Sequence, residues 1–131
     1  MRVLDTDTCI EILRGNQSVI GRRAATEDEV VTTWVTAAEL YFGAEKSGAP
    51  RANRDLVTRF LGTLPVVDFD LEAAQAFGRT KAMLRGSGQE VADADLFIAS
   101  VAVARNATLV TGNRRHFDRI PGVAIEDWIR G

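Results

Sequence analysis

From Asp93 to Ala107 the chain reads DADLFIASVAVARNA, a helix-forming run that is apolar nearly all round once its first turn is past. A helix without a polar face cannot lie on a surface, so other elements must cover it on most sides. It leads directly into TLVT, a short β-branched strand closed by Gly112 and Asn113. The same alternation runs through the whole sequence. RVL is a short strand followed by a helix over Thr8 to Arg14, which Gly15 and Asn16 close. VVTTWV, Val30 to Val35, is a second strand, followed by helix-forming TAAELYFGAEK and a break at Gly48, Ala49 and Pro50.

A further helix, Arg51 to about Leu61, carries Leu56, Val57, Phe60 and Leu61 at helical spacing. PVVDF is the third strand, and Asp70 is a suitable N-cap for the long helix LEAAQAFGRTKAMLRG, which stops at Gly86-Ser87-Gly88. After TLVT, VAIED follows Pro121-Gly122 as a candidate fifth strand. Strands that alternate with helices pair in parallel and are covered on both faces. The expected fold class is therefore α/β: one domain over residues 1–131, with a central parallel sheet of four to five strands and helices on both sides.

Composition narrows the class. At 131 residues and 46% hydrophobic content the chain can bury a real core. The longest apolar stretch, LFIASVAVA, is about half of the ~20 residues a membrane span needs. One cysteine, Cys9, allows no internal disulfide and no secretory leader opens the sequence, so the expected compartment is the cytoplasm. The net charge of -2 supplies no global attraction for a polyanion, and any contact with nucleic acid must be local. Of 16 basic residues only Lys46 and Lys81 are lysines; guanidinium forks suit phosphate.

In an open parallel sheet, ligands bind beyond the carboxyl ends of the strands, where the strand order reverses. Asp5 and Asp7 follow the first strand, Glu39 lies beyond the second, Asn113 follows the fourth, and Asp93 and Asp95 open the buried helix. All fall on one edge of the sheet. Each acid also has a structural explanation. Thr36-Ala-Ala-Glu39 matches a capping box, Asp93 can cap its helix, Asp95 suits a first turn, and Asp7 can form an Asx turn or cap the first helix. Asp5 resists such an account, because an uncompensated carboxylate where a buried strand surfaces is costly. No lysine stands near Asp5, Glu39 or Asp95 in the sequence. Three converging carboxylates raise one another's pKa unless a cation sits between them, and an all-oxygen donor set suits Mg²⁺ or Mn²⁺.

LDTDTCI, TAAELYFGAEKS, DADLFIASVAVARNATLVTGNRRHFDRIPG and the closing IEDW resemble, in order and over essentially the whole chain, the PIN-domain ribonucleases of the VapC toxin type. The resemblance implies a PIN domain in which Asp5, Glu39 and Asp95 are the catalytic acids and hold Mg²⁺ or Mn²⁺ for hydrolysis of RNA. Thr6, Asp93, Thr111 and Asn113 stand where they can support those acids, and Arg114, Arg115 and Arg119 where they can grip the RNA backbone. It further implies inhibition by a small VapB-like antitoxin over the early helices, homodimerisation and no membrane. The chain departs from the family pattern at Asp7, where many members have Asn, and at His116, where some carry an acid. Asp93, Asp118 or a water then completes the acidic cluster.

Two rival readings follow from the same residues. LDTDT also fits the D-x-D-x-T motif of haloacid-dehalogenase phosphatases, with Asp5 as nucleophile and Asp7 as general acid, though no convincing downstream lysine or acidic motif accompanies it. An inactive PIN scaffold that only binds a partner is the other. Cys9 sits on an apolar helix face, as a core residue does, and Tyr41 and Phe42 form a pair of the kind usually buried.

Overall fold

Arg2–Leu4 (β1) occupies the centre of a five-stranded sheet in the computed structural model, which describes residues 1–131. Val30–Thr33 (β2) and Thr108–Val110 (β4) flank it, and Val66–Val67 (β3) and Ala124–Glu126 (β5) form the edges. Every pairing is parallel. The order is β3-β2-β1-β4-β5, so the chain winds outward on one side of β1 and then crosses to the other. The reversal lies between β1 and β4. The expected parallel sheet forms, including its fifth strand.

Register and side-chain alternation divide the core in two. Val3 stands opposite Val31 and Leu109, and all three join a cluster with Leu96, Ile98, Ala99, Ala102 and Phe117. Leu4, opposite Val110, points the other way into a cluster with Cys9, Val19, Leu40, Val57 and Trp128. Both faces are buried, as short Val/Leu strands in a parallel sheet require.

Seven helices connect the strands: Thr6–Leu13 (α1), Gln17–Ala25 (α2), Trp34–Glu45 (α3), Pro50–Leu61 (α4), Leu71–Gly86 (α5), Asp93–Ala104 (α6) and Arg114–Phe117 (α7). Asp70, capping α5 through the Ala73 amide, pairs at 3.7 Å with Arg105 just past α6, while Lys81 on α5 pairs at 3.0 Å with Asp93 at the start of α6. The two helices are therefore antiparallel. Because the end of α6 feeds β4, its acidic start lies at the carboxyl edge of the sheet.

The structure corrects several expected boundaries. Gly15, at φ 82°, ends α1, but Asn16 opens a helix that the sequence reading omits, its side chain accepting from the Val19 amide. The second strand stops at Thr33 rather than Val35, because the Thr33 hydroxyl accepts from the Thr36 amide and caps α3. The third strand keeps only Val66 and Val67 of PVVDF. The residue preceding α6 is Ala92, which makes no side-chain cap, and Asp93 turns to Lys81 instead of capping the helix.

Candidate active site

Asp5 sits at the crossover between the two central strands. Its amide donates to Val110 O at 2.9 Å, tying the end of β1 to the end of β4. Its carboxylate caps α1, accepting from the Thr6 amide at 2.8 Å through Oδ1 and from the Thr111 hydroxyl at 2.7 Å through Oδ2. Asp5 is 3% exposed. Burial first, then the neighbouring Asp7 charge and that of Asp95, push its carboxyl up to about 7 against the pull of the two hydrogen bonds. The strongest charged neighbour is Asp7, two residues away, rather than Glu39.

Glu39 is linked to Asp5 through Thr6. The Thr6 hydroxyl donates to Glu39 Oε1 at 2.6 Å and lies 3.0 Å from Thr36 Oγ1. The capping-box reading of Thr36 and Glu39 therefore fails: Thr33 is the cap, Thr36 lies inside the first turn, and the freed Glu39 carboxylate faces the Asp5 loop. Asp95, 24% exposed in the first turn of α6, stands 3.0 Å from His116 Nδ1. Of the supporting residues expected from the sequence, Thr6 and Thr111 bond the acids directly. Asn113 contributes its backbone amide, which donates to Thr111 Oγ1 at 3.0 Å, and Asp93 is drawn away to Lys81.

No three His, Cys, Asp or Glu side chains stand close enough together to hold one ion between them. Asp5, Asp7 and Glu39 also lack any cationic side chain within 4 Å, since every ion pair in the molecule involves other acids.

Asp7 organises the loop beside Asp5. Its Oδ1 accepts from the Thr8 amide at 2.7 Å and its Oδ2 from the Gly112 amide at 2.9 Å. A carboxylate so engaged with backbone donors is poorly placed to act as the general acid of a phosphatase. Gly112 is closely approached: a Cβ would lie 2.5 Å from Arg130 Nη1 and 3.1 Å from Asp7 Oδ2. The Arg130 guanidinium donates to Gly112 O at 2.7 Å, and its backbone is fixed by Asp127. Nothing local in the sequence marks Arg130 as a neighbour of this turn; the Gly112-Asn113 pair after TLVT is the one sign of a close approach. Arg114 and Arg115 are exposed on the same side, and Arg119 donates to Glu90 O at 2.9 Å.

On the neighbouring face, Ile10, Leu13, Leu40, Leu56 and Val57 line an apolar groove between α1, α3 and α4, with Glu39 at its rim. Tyr41 is half-buried, but Phe42 is 65% exposed rather than core, with Lys46 Nζ 5.0 Å over its ring. Cys9 is buried, and burial pushes its thiol up to about 12, so it is inert core rather than nucleophile.

The PIN domain model matches residues 2–123. Salmonella typhimurium's tRNA(fMet)-specific endonuclease VapC is 39% identical over 127 residues, 96% of each chain. This chain belongs to the PIN-domain family, among its VapC ribonucleases. Within that family, Ribonuclease VapC2 of Haemophilus influenzae is 31% identical over 128 residues, covering 97% of both chains. The PIN fold superposes on the crystal structure of DNA-bound VapBC from Salmonella typhimurium with a TM-score of 0.92, at 38% identity and 97% coverage of each chain. VapBC2 from Rickettsia felis, bound to a promoter DNA fragment, gives 0.91 at 31% identity, covering 97% of this chain and 98% of that one.

Proposed function

We propose that this VapC-type chain is a Mg²⁺- or Mn²⁺-dependent endoribonuclease, the toxin of a type II toxin-antitoxin pair, acting in the cytoplasm to cut RNA and block translation. The observation that carries this reading is Asp5: a buried carboxylate at the strand crossover, raised in pKa, with acids around it and no cation beside it. Such a site is relieved by binding a cation. The donor set fits a hard divalent ion, being all carboxylate and hydroxyl oxygen near Asp5. Asp5, Glu39 and Asp95 are the residues that would hold it, some through water, which Mg²⁺ retains readily. When bound, such an ion neutralises charge on the phosphate and lowers the pKa of a coordinated water.

The chain's own groups prepare the site. Thr111 orients Asp5 Oδ2, Thr6 fixes Glu39, and the His116 ring stands 3.0 Å from one oxygen of Asp95. Arg119 lines the hollow that contains Asp95, and Arg114 and Arg115 line another that also contains His116; in this reading all three hold phosphates of the RNA. A transfer RNA is the first substrate to test, given the name of the Salmonella relative. The apolar groove bounded by Glu39 suits the nonpolar face of an antitoxin helix, and a VapB-like antitoxin seated there would cover the acids. The toxin itself is proposed to dimerise.

Purified protein incubated with total cellular RNA tests the reading. Cleavage is expected with Mg²⁺ and is lost with EDTA or in Asp95→Asn. Activity that survives both the chelator and the substitution overturns it.

A further inference from the structure

Asp5 Oδ2 accepts from the Thr111 hydroxyl at 2.7 Å, yet a second acceptor, Asp7 Oδ1, lies 3.5 Å from the same hydroxyl. A threonine hydroxyl carries one proton and rotates to suit its surroundings, so what else binds its oxygen decides how firmly it stays on Asp5. The Asn113 amide is that partner, donating to Thr111 Oγ1 at 3.0 Å. With the amide on one side of the oxygen, the hydroxyl proton is left for the carboxylate. The orientation of the Gly112–Asn113 peptide therefore bears on the buried acid.

Arg130 holds the other side of this peptide, its Nη1 donating to Gly112 O at 2.7 Å. The peptide is trans, so its carbonyl and its N–H point in opposite directions, and a donor held on the carbonyl fixes where the N–H aims. Glycine allows a peptide to turn over more readily than other residues do, which gives that hold something to prevent. A charged donor also polarises the peptide and strengthens the hydrogen bond on its far side. The guanidinium is presented from a fixed backbone. The Thr111 amide donates to Glu126 O at 2.9 Å, Trp128 is buried, and Asp127 Oδ1 accepts from the Ile129 and Arg130 amides at 2.8 and 2.9 Å.

The geometry points to Arg130 as a positioning residue of the metal site: by holding Gly112 O it keeps the Asn113 amide on Thr111, and the Thr111 hydroxyl on Asp5 Oδ2. The inference rests on the metal-dependent nuclease reading and adds to it a residue that bonds none of the metal-holding acids. Charge alone would act in the opposite sense. A guanidinium near an acidic pocket repels a divalent ion, so its removal would tighten metal binding. As a positioning residue Arg130 does the reverse: its removal frees the peptide, loosens the hydroxyl on Asp5 and weakens metal binding. The sign of the change separates the two.

The test titrates Mn²⁺ into the full chain without RNA, reading free Mn²⁺ by electron paramagnetic resonance. Thr111→Val is expected to weaken binding roughly 10–100-fold, and Arg130→Gln roughly 10-fold, the lower end of that range. The double variant binds no more weakly than Thr111→Val alone, because both act on one hydroxyl. In nuclear magnetic resonance spectra of metal-free protein, the Asn113 amide of Arg130→Gln exchanges with solvent faster than that of wild type. Arg59→Gln, exposed on α4, changes neither quantity. Arg130→Gln alters only an exposed side chain, so its two readouts decide the matter even where Thr111→Val folds poorly. Unchanged or tighter Mn²⁺ binding in Arg130→Gln, an unchanged Asn113 exchange rate, or losses that add in the double variant overturn the role. Parallel cleavage assays keep the two readings apart: if wild type binds Mn²⁺ and cuts RNA, and Asp95→Asn cuts none, while Arg130→Gln binds Mn²⁺ as wild type does, only the role of Arg130 fails. If wild type neither binds Mn²⁺ nor cuts RNA, the nuclease reading fails and this inference with it.

Discussion

The Thr6 hydroxyl donates to Glu39 Oε1 at 2.6 Å, so the residue directly after Asp5 fixes the side chain of an acid on α3. Glu39 is otherwise exposed and free to rotate. Thr6→Val keeps the shape and the backbone amide that Asp5 caps, and removes the hydroxyl with its bonds to Glu39 and Thr36. Cleavage is expected to fall roughly 10–100-fold, the usual cost of losing an outer support of a metal-site ligand, with a higher Mg²⁺ requirement. Thermal melting shifts little. A Mg²⁺ titration of cleavage rates checks it, and an unchanged half-saturation would show that Glu39 needs no such support.

Asp5→Asn separates function from stability. The Asp5 carboxyl rises from 3.8 to about 7 on folding, chiefly through burial and then the Asp7 charge. The folded chain therefore holds a proton that the unfolded chain releases. In metal-free protein the cost is absent below pH 3.8, grows as pH rises, and is complete above about 7. At about 1.4 kcal/mol for each pH unit, it reaches a few kcal/mol. Asn is tolerated here, because its amide can donate to Thr111 Oγ1, whose hydroxyl then turns toward Asp7 Oδ1 at 3.5 Å. In EDTA at pH 8 the variant is expected to melt higher than wild type by roughly 5 °C or more, while RNA cleavage disappears. A lower melting temperature across the whole pH range would contradict the assignment of Asp5 as a strained acid.

The sequence revealed the sheet because its strands are short, β-branched and buried on both faces, and it located Asp5 because an acid at the end of such a strand has few structural explanations. Local competition misled it elsewhere. Thr33 and Thr36 both look like caps, and only the backbone path selects Thr33, which shortens β2 and releases Glu39. The short α2 buries only Val19 and carries a glycine and two arginines, so Asn16 read as the end of one helix rather than the start of another. Contacts such as Asp7 to Gly112 and His116 to Asp95 join segments far apart in the chain and leave no local pattern.

Gly112→Ala places a methyl against Arg130 Nη1, Asp7 Oδ2 and Ile129 Cδ1. The guanidinium is the far end of a flexible side chain and moves first, breaking its bond to Gly112 O. Asp7 and Ile129 give by a few tenths of an ångström. A stability loss of about 1–2 kcal/mol is expected, at the lower end of overpacking costs. Thermal denaturation of Gly112→Ala, Arg130→Gln and the double variant tests the link: if both act by releasing the same guanidinium, the double variant loses less than the sum of the two.

The apolar groove between α1, α3 and α4 makes a separate prediction about the antitoxin. Leu56 is 43% exposed on α4 and lines that groove with Ile10, Leu13 and Val57. Leu56→Glu removes little buried contact from the free chain, so its stability should change by only about 0.5 kcal/mol. In a complex it puts a carboxylate where a partner's apolar face would sit. Burying a leucine is worth about 1.5–3 kcal/mol, so affinity for the antitoxin should fall at least ~10-fold. Cleavage by the free toxin is expected to persist, because Leu56 is neither one of the proposed metal-holding acids nor one of their hydroxyl partners, and a given dose of antitoxin inhibits the variant less. Calorimetric titration of antitoxin into each protein, followed by cleavage assays on the mixtures, checks both halves. Unchanged affinity would place the antitoxin on another face of the toxin.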